Sequence, residues 1–380
     1  MRCGTEFSWI DDLAALPDDA RALFADPRIG PGVTAITDCH AWYRLLIGSA
    51  RPEGMTPRFA LGRIDGRAVA LLPLWRGAGR ALQSLGSPYT CLYRPLLAAG
   101  LSVATLEALG CALAGLLRPM TALRLEALDA DWPPLAPFLC GMGRGGLVAL
   151  HFAHFGAWHG AIPSGGWPAY LATRSGQLRA TIRRRTARLL REPEFRFEMV
   201  AGGSGLEDGI AAFEAVYGQS WKNAEPYPDF NADWMRAAAG LGLLRLAILW
   251  RAEMPVAVQY WVIADGTAQV LKLAHVAAFD AYSPGTVLTA WAIRQMIDQD
   301  GITALDFGRG DDPYKRLWVE QRAQRIGIVL ANPRTINGLI IILRHAVGGL
   351  RRRIRGLQPA GDASPGSDRT FSVQYEPALL

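Results

Sequence analysis

Two stretches of the chain show the same succession of hydrophobic patterns. In the first, PRFALGR (57–63) and RAVALLPLW (67–75) are apolar, β-rich runs separated by the turn IDG, and a second turn, RGAG, leads to RALQSLG (80–86). Such runs, bounded by Gly, Asp and Pro, predict strands. The apolar periodicity from Ser102 to Leu117 predicts a helix, and TALRLEA (121–127) a closing strand. In the second stretch LLRLAILW (243–250), PVAVQYWVI (255–263) and TAQVLKLAH (267–275) predict strands, Pro284 to about Gln299 a helix, and ITALDFG (302–308) the last strand. Short turns make the first three strands of each unit antiparallel neighbours, and a helical crossover brings the last one back parallel. The repeat predicts a duplicated α+β unit, each copy a mixed, mostly antiparallel sheet flanked by helices.

Between the two units, Ser175–Arg191 reads as a basic helix, FRFEMV (195–200) as a strand, and Leu206–Trp221 and Ala232–Ala239 as helices. IPSGG at Ile162–Gly166 breaks the pattern. The expected organisation is therefore an N-terminal domain at 1–163, a C-terminal domain at 164–356 and a disordered Pro/Gly/Ser-rich tail at 357–380.

Composition narrows the class. Of 380 residues 50% are hydrophobic and 19% charged, which fits a globular chain. No apolar run approaches the roughly 18 residues of a spanning helix, and the N-terminus has no signal-peptide pattern, so a cytoplasmic protein is expected. The five cysteines lack metal-ligand or CxxC spacing. His151, His154 and His159 alternate across a predicted strand, so no metal is expected there. The net charge of +6 gathers at Arg179–Arg191 and Arg351–Arg355, and such surpluses attract phosphates, nucleic acid or anionic lipid. No nucleic-acid-binding signature accompanies them, so DNA is not an expected partner. Gly338–Arg355 reads either as a helix on a membrane surface or as a helix packed on the domain, the second being favoured.

The chemistry gathers in the second unit. In FDAYSPGTVL (279–288), Ser283 reads as an N-cap, Pro284 as the first helical residue, and Gly285 as a point of close backbone approach. With Thr286 they form a helix start whose free N–H groups and dipole suit a pyrophosphate. DFGRGDDPYK (306–315) begins at the end of the closing strand. In it Asp311 and Asp312 are candidate bases, Tyr314 a candidate proton donor to a leaving thiolate, and Asp306 and Lys315 candidate substrate ligands. His275 is a candidate base at a strand end. Lys272, on the same strand, is expected to face away from it. Lys222, in SWK (220–222), pairs with Glu225 or binds substrate.

Residues 170–330 resemble the acetyltransferase domain of CelD-like proteins from bacterial cellulose and exopolysaccharide clusters. The resemblance rests on Gln177–Arg191, SWK with Glu225, KLAH (272–275), SPGT (283–286), DFGRGDDPYK and Trp318. VALLPL (69–74) and LGSPY (85–89) extend it weakly into the first half. That domain is related to Fem-type peptidoglycan aminoacyltransferases, which carry two GNAT-like folds in tandem. The resemblance implies acetyl-CoA or another acyl-CoA as co-substrate, with the pyrophosphate at Ser283–Thr286 and the pantetheine between splayed strands beside Lys272. It implies no metal, and direct transfer to an amine or hydroxyl of a small-molecule or glycan acceptor. Two alternatives remain: an aminoacyl-tRNA donor, as in Fem-type relatives, and a non-catalytic scaffold with a degenerate donor site.

Overall fold

The computed structural model describes residues 4–26, 36–220 and 224–356, with the backbone alone for 349–356. The first unit runs β1 (Thr5–Ile10), α1 (Asp18–Arg21), α2 (His40–Ser49), β2 (Thr56–Ile64), β3 (Arg67–Arg76), β4 (Ala81–Ser84), β5 (Leu96–Leu97), α3 (Val103–Leu116), β6 (Ala122–Asp129), α4 (Leu135–Arg144) and β7 (Val148–Ala161). The second runs α5 (Gly166–Ala172), α6 (Gly176–Leu189), β8 (Phe195–Val200), α7 (Leu206–Gly218), α8 (Phe230–Gly240), β9 (Leu244–Arg251), β10 (Met254–Ala264), β11 (Thr267–His275), α9 (Pro284–Asp300), β12 (Ala304–Arg309), β13 (Gln321–Ala331) and α10 (Ile336–Gly356). The expected tail lies outside the described residues.

Local chemistry explains the hairpins. Asp65–Gly66 and Asp265–Gly266 both have positive φ at each residue. Two such residues form the tight turn whose twist matches paired strands, and they join β2 to β3 and β10 to β11.

The thirteen strands among the described residues form one sheet in the order β1-β2-β3-β4-β6-β13-β7-β12-β11-β10-β9-β8, with β5 paired to β3. Both units contribute the expected three antiparallel strands and a parallel return, β4 beside β6 and β11 beside β12. Their final strands are exchanged. β7 of the first unit pairs with β12 of the second, β13 of the second pairs with β6 of the first, and β7 and β13 pair antiparallel from His159–Gln321 to Val148–Ala331. Helices pack on this α+β sheet. Across the units, Trp42 of α2 packs edge-on against Phe230 and Trp234 of α8, with ring centroids 5.8 and 5.2 Å apart.

The C-terminal helix packs on the domain through one face only, where Gly338 is buried and Ile341, Ile342 and His345 are half-buried. Ile336, Leu339, Ile340, Leu343 and Val347 of α10 are exposed. Its first turn is anchored closely, where Gly338 lies so near Asn332 that a Cβ would come within 2.0 Å of its carbonyl oxygen.

Candidate active site

β11 and β12 pair only at Thr267–Ala304, Ala268–Leu305 and Gln269–Asp306. Past these pairs a cavity of about 530 Å³ lies between Val270–His275 of β11, Phe307–Arg309 of β12 and the start of α9. Gly308 sets the bend in β12. Its φ is 61°, and the register with β7 jumps between Asp306 and Arg309, as in a β-bulge. Asp306 serves that bulge. Its Oδ1 accepts the Gly308 N–H at 2.5 Å. The carboxyl is buried and does not line the cavity, and its contact here is with the bulge. Burial pushes its pKa up, partly offset by the Gly308 N–H.

Ser283, Pro284, Gly285 and Thr286 all line the cavity, at the N-terminus of α9. Ser283 is not a side-chain cap. The turn Ala277–Tyr282 delivers the chain so steeply that Ser283 takes a left-handed conformation (φ 53°, ψ 51°), with no cap hydrogen bond from its side chain. Its carbonyl accepts Val287 N–H at 3.1 Å. Pro284 has no N–H, which leaves the Gly285 and Thr286 amides to face an anion. The far side of this helix start is braced: Thr289 Oγ1 and Gln259 Nε2 donate to the Gly285 carbonyl at 2.9 and 3.2 Å.

Tyr314 joins this brace. Its hydroxyl lies 2.6 Å from Thr289 Oγ1, and burial pushes its pKa far up. Lys315 is buried and lines the cavity floor. Its Nζ donates to Arg309 O at 2.5 Å and lies 3.8 Å from Asp312, and burial lowers its pKa. Asp312, largely exposed, sits at the cavity rim. Asp311 is placed elsewhere. Arg322 grips it at 2.5 and 2.7 Å, Trp158 Nε1 donates to it at 3.0 Å, and the guanidinium holds its pKa below the usual range. It does not line the cavity, and a carboxylate so held is a poor base.

Lys272 and His275 share the cavity after all. Where a strand's edge is unpaired, side chains of both its faces reach the opening. His275 Nε2 is 2.9 Å from Asp280 Oδ1, and its ring stands 3.3 Å from where a Cβ on Gly285 would project. Lys272 pairs with Glu225, which also accepts the Tyr217 hydroxyl. Burial works against this carboxylate, but those two donors hold its pKa below the usual range. Lys272 Nζ also lies 5.0 Å above the Tyr89 ring. Lys222 lies outside the described residues.

The first unit supplies one wall, through Pro88, Tyr89 and Cys91. The same segment occupies the corresponding opening of its own unit. There β4 and β6 also pair at only three positions. Beyond them Tyr93 is buried, its N–H on Ala127 O at 3.0 Å and its hydroxyl on Pro73 O at 2.8 Å. Sequence reasoning missed Gln259, Thr289 and Cys91. The only signal for this wall was LGSPY.

The basic helix α6 reaches the cavity's outer turn. Arg185 and Arg188 both donate to Ala281 O, Arg188 at 3.1 Å, and the Arg188 guanidinium stacks 4.3 Å from the Tyr282 ring. Arg183, Arg184 and Arg191 remain exposed.

Residues 176–316 match the family model described as an acetyltransferase (GNAT) domain. No curated protein matches the chain. Among solved structures the fold is similar to that of FemX, with 11% identity, a TM-score of 0.56, and coverage of 89% of this chain and 100% of that one. A conserved protein of unknown function from Bacteroides thetaiotaomicron is similar at 12% identity, covering 85% of this chain and 99% of that one, with a TM-score of 0.52. L-PGS from Bacillus licheniformis is similar at 13% identity, covering 88% and 97%, with a TM-score of 0.50. At these identities the likeness is one of fold.

Proposed function

We propose that the protein is an acyl-CoA-dependent acyltransferase whose donor lies in the β11–β12 cavity. One observation carries this reading: a parallel strand pair opens after three residue pairs into a cavity, and a helix N-terminus closes it. The match of residues 176–316 to an acetyltransferase (GNAT) domain supports it.

In this reading the donor pyrophosphate meets the Gly285 and Thr286 amides, where the helix dipole favours negative charge. The pantetheine replaces the missing ladder between β11 and β12, and backbone N–H groups of β11 polarise the thioester carbonyl. An amine or hydroxyl of the acceptor attacks the thioester carbonyl directly, the acyl C–S bond breaks, and coenzyme A leaves as its thiolate. His275 and Asp312, at the cavity and its rim, are the groups placed to take the nucleophile's proton. Tyr314 holds the helix start. A phenol kept neutral by burial donates a hydrogen bond but is a poor proton source for a thiolate, whose conjugate acid has a pKa of about 8.5. Lys315, Lys272 and Tyr89 line the acceptor side. The acceptor is a small molecule or a glycan precursor, as the CelD-like resemblance implies, and a cytoplasmic place goes with an acyl-CoA donor. The first unit serves as a wall, its own opening being filled by Tyr93.

An aminoacyl-tRNA donor is the second reading, favoured by the likeness to FemX over 89% of the chain and by the exposed arginines of α6. Calorimetry with acetyl-CoA separates the two. The intact protein should bind saturably. Gly285→Trp should abolish binding, because its side chain must enter the space beside His275. If no acyl-CoA binds to folded protein, and tRNA binds with a steep salt dependence, the second reading replaces the first.

A further inference from the structure

The large exposed apolar residues of α10 fall on one line. At about 100° per residue, Ile336, Leu339, Ile340, Leu343 and Val347 span a narrow apolar stripe, and their relative exposures run from 40% to 79%. Scattered exposed apolar residues are ordinary, whereas a contiguous row on one helix face needs an occupant. The helix sequence, INGLIIILRHAVGGLRRRIRG, contains no acidic residue and five arginines, at 344, 351, 352, 353 and 355. None of the described helices is long and apolar enough to cross a membrane. An apolar stripe flanked by arginines instead matches a helix lying in the plane of a membrane surface.

We propose that α10 seats the protein on an anionic lipid surface, its apolar row turned to the acyl chains and the positive charge of its sequence drawing it to the headgroup layer. The charge selects this occupant. A second copy docked through the same stripe would bring ten arginines together with no carboxylate from either helix to offset them. An anionic headgroup layer supplies the missing charge, and each arginine near such a surface strengthens binding by about fivefold. The anchoring of Gly338 fixes where the helix leaves the domain.

The test uses the full chain and sedimentation with vesicles of phosphatidylcholine alone, or of phosphatidylcholine mixed with phosphatidylglycerol. Mixed vesicles should bind at least tenfold more tightly than neutral ones, less so at high salt. Leu343→Asp with Val347→Asp should abolish binding while leaving the circular dichroism and unfolding midpoint unchanged, since both side chains are exposed. Equal, weak binding to both vesicle types would overturn the proposal. So would a concentration-dependent dimer lost in the double variant without vesicle binding, or vesicle binding that emerges only after removal of residues 357–380, which would show that the chain's own end covers the stripe.

Discussion

The Tyr314 hydroxyl lies 2.6 Å from Thr289 Oγ1 at the base of α9, where burial raises its proton affinity. The sign matters. A tyrosine whose pKa rises on folding stays neutral through the pH range in which a free phenol, near 10, would ionise, so any alkaline limb of a rate profile below pH 10 belongs to another group. Tyr314→Phe should therefore lower kcat/KM by about fivefold, the worth of one hydrogen bond of about 1 kcal/mol, and leave the pH profile in place. A loss of a hundredfold or more with a shifted alkaline limb would instead make Tyr314 the proton donor. Residue types were legible from sequence, and partners were not. The helix start at Pro284–Thr286 and the cavity lysine Lys315 were readable because proline, glycine and a strand-end motif carry local signals. The surroundings of Asp306 and Asp311 were not legible, because what meets each carboxylate, a bulge N–H and the guanidinium of Arg322 on β13, depends on strand geometry that spacing does not reveal.

Between α3 and α4 the helices approach so closely that glycine becomes a requirement. A Cβ on Gly141 would come 2.0 Å from Glu107 O, and one on Gly110 would come 2.1 Å from Phe138 O. Both obstacles are backbone, so the helices must separate to admit a methyl group. Gly141→Ala should cost about 2 kcal/mol or more by denaturant unfolding. Gly143→Ala, in the same helix with nothing within 4 Å of the new atom, should be neutral or stabilise by up to about 1 kcal/mol. Equal effects at the two sites would refute the close approach. At this scale the sequence was most readable where strands are apolar and end in Asp-Gly turns, as in β2, β3, β10 and β11. It was least readable in β1, which is short, and in β13, whose first half, QRAQR, is polar. α10 was visible as a helix, but whether its stripe is covered is a tertiary fact.

The duplication was visible along the chain, whereas the exchange of final strands was not, because the pattern of apolar positions does not say which copy's last strand lies beside β6 or β12. The exchange makes the units interdependent. Cutting after residue 163 leaves β12 without β7 and β6 without β13, each facing solvent with an unpaired row of backbone groups. Residues 1–163 and 164–380 produced alone should thus be unfolded or aggregated, and should recover native circular dichroism only when produced together. Independent, stable folding of either piece would refute that interdependence. The same exchange sets a clock on synthesis. Ala331 leaves the ribosome about 200 residues after Asp129, its neighbour's last residue. At roughly 5–20 residues per second, the nascent first half holds an open sheet edge for roughly 10–40 s before the strand that closes it exists.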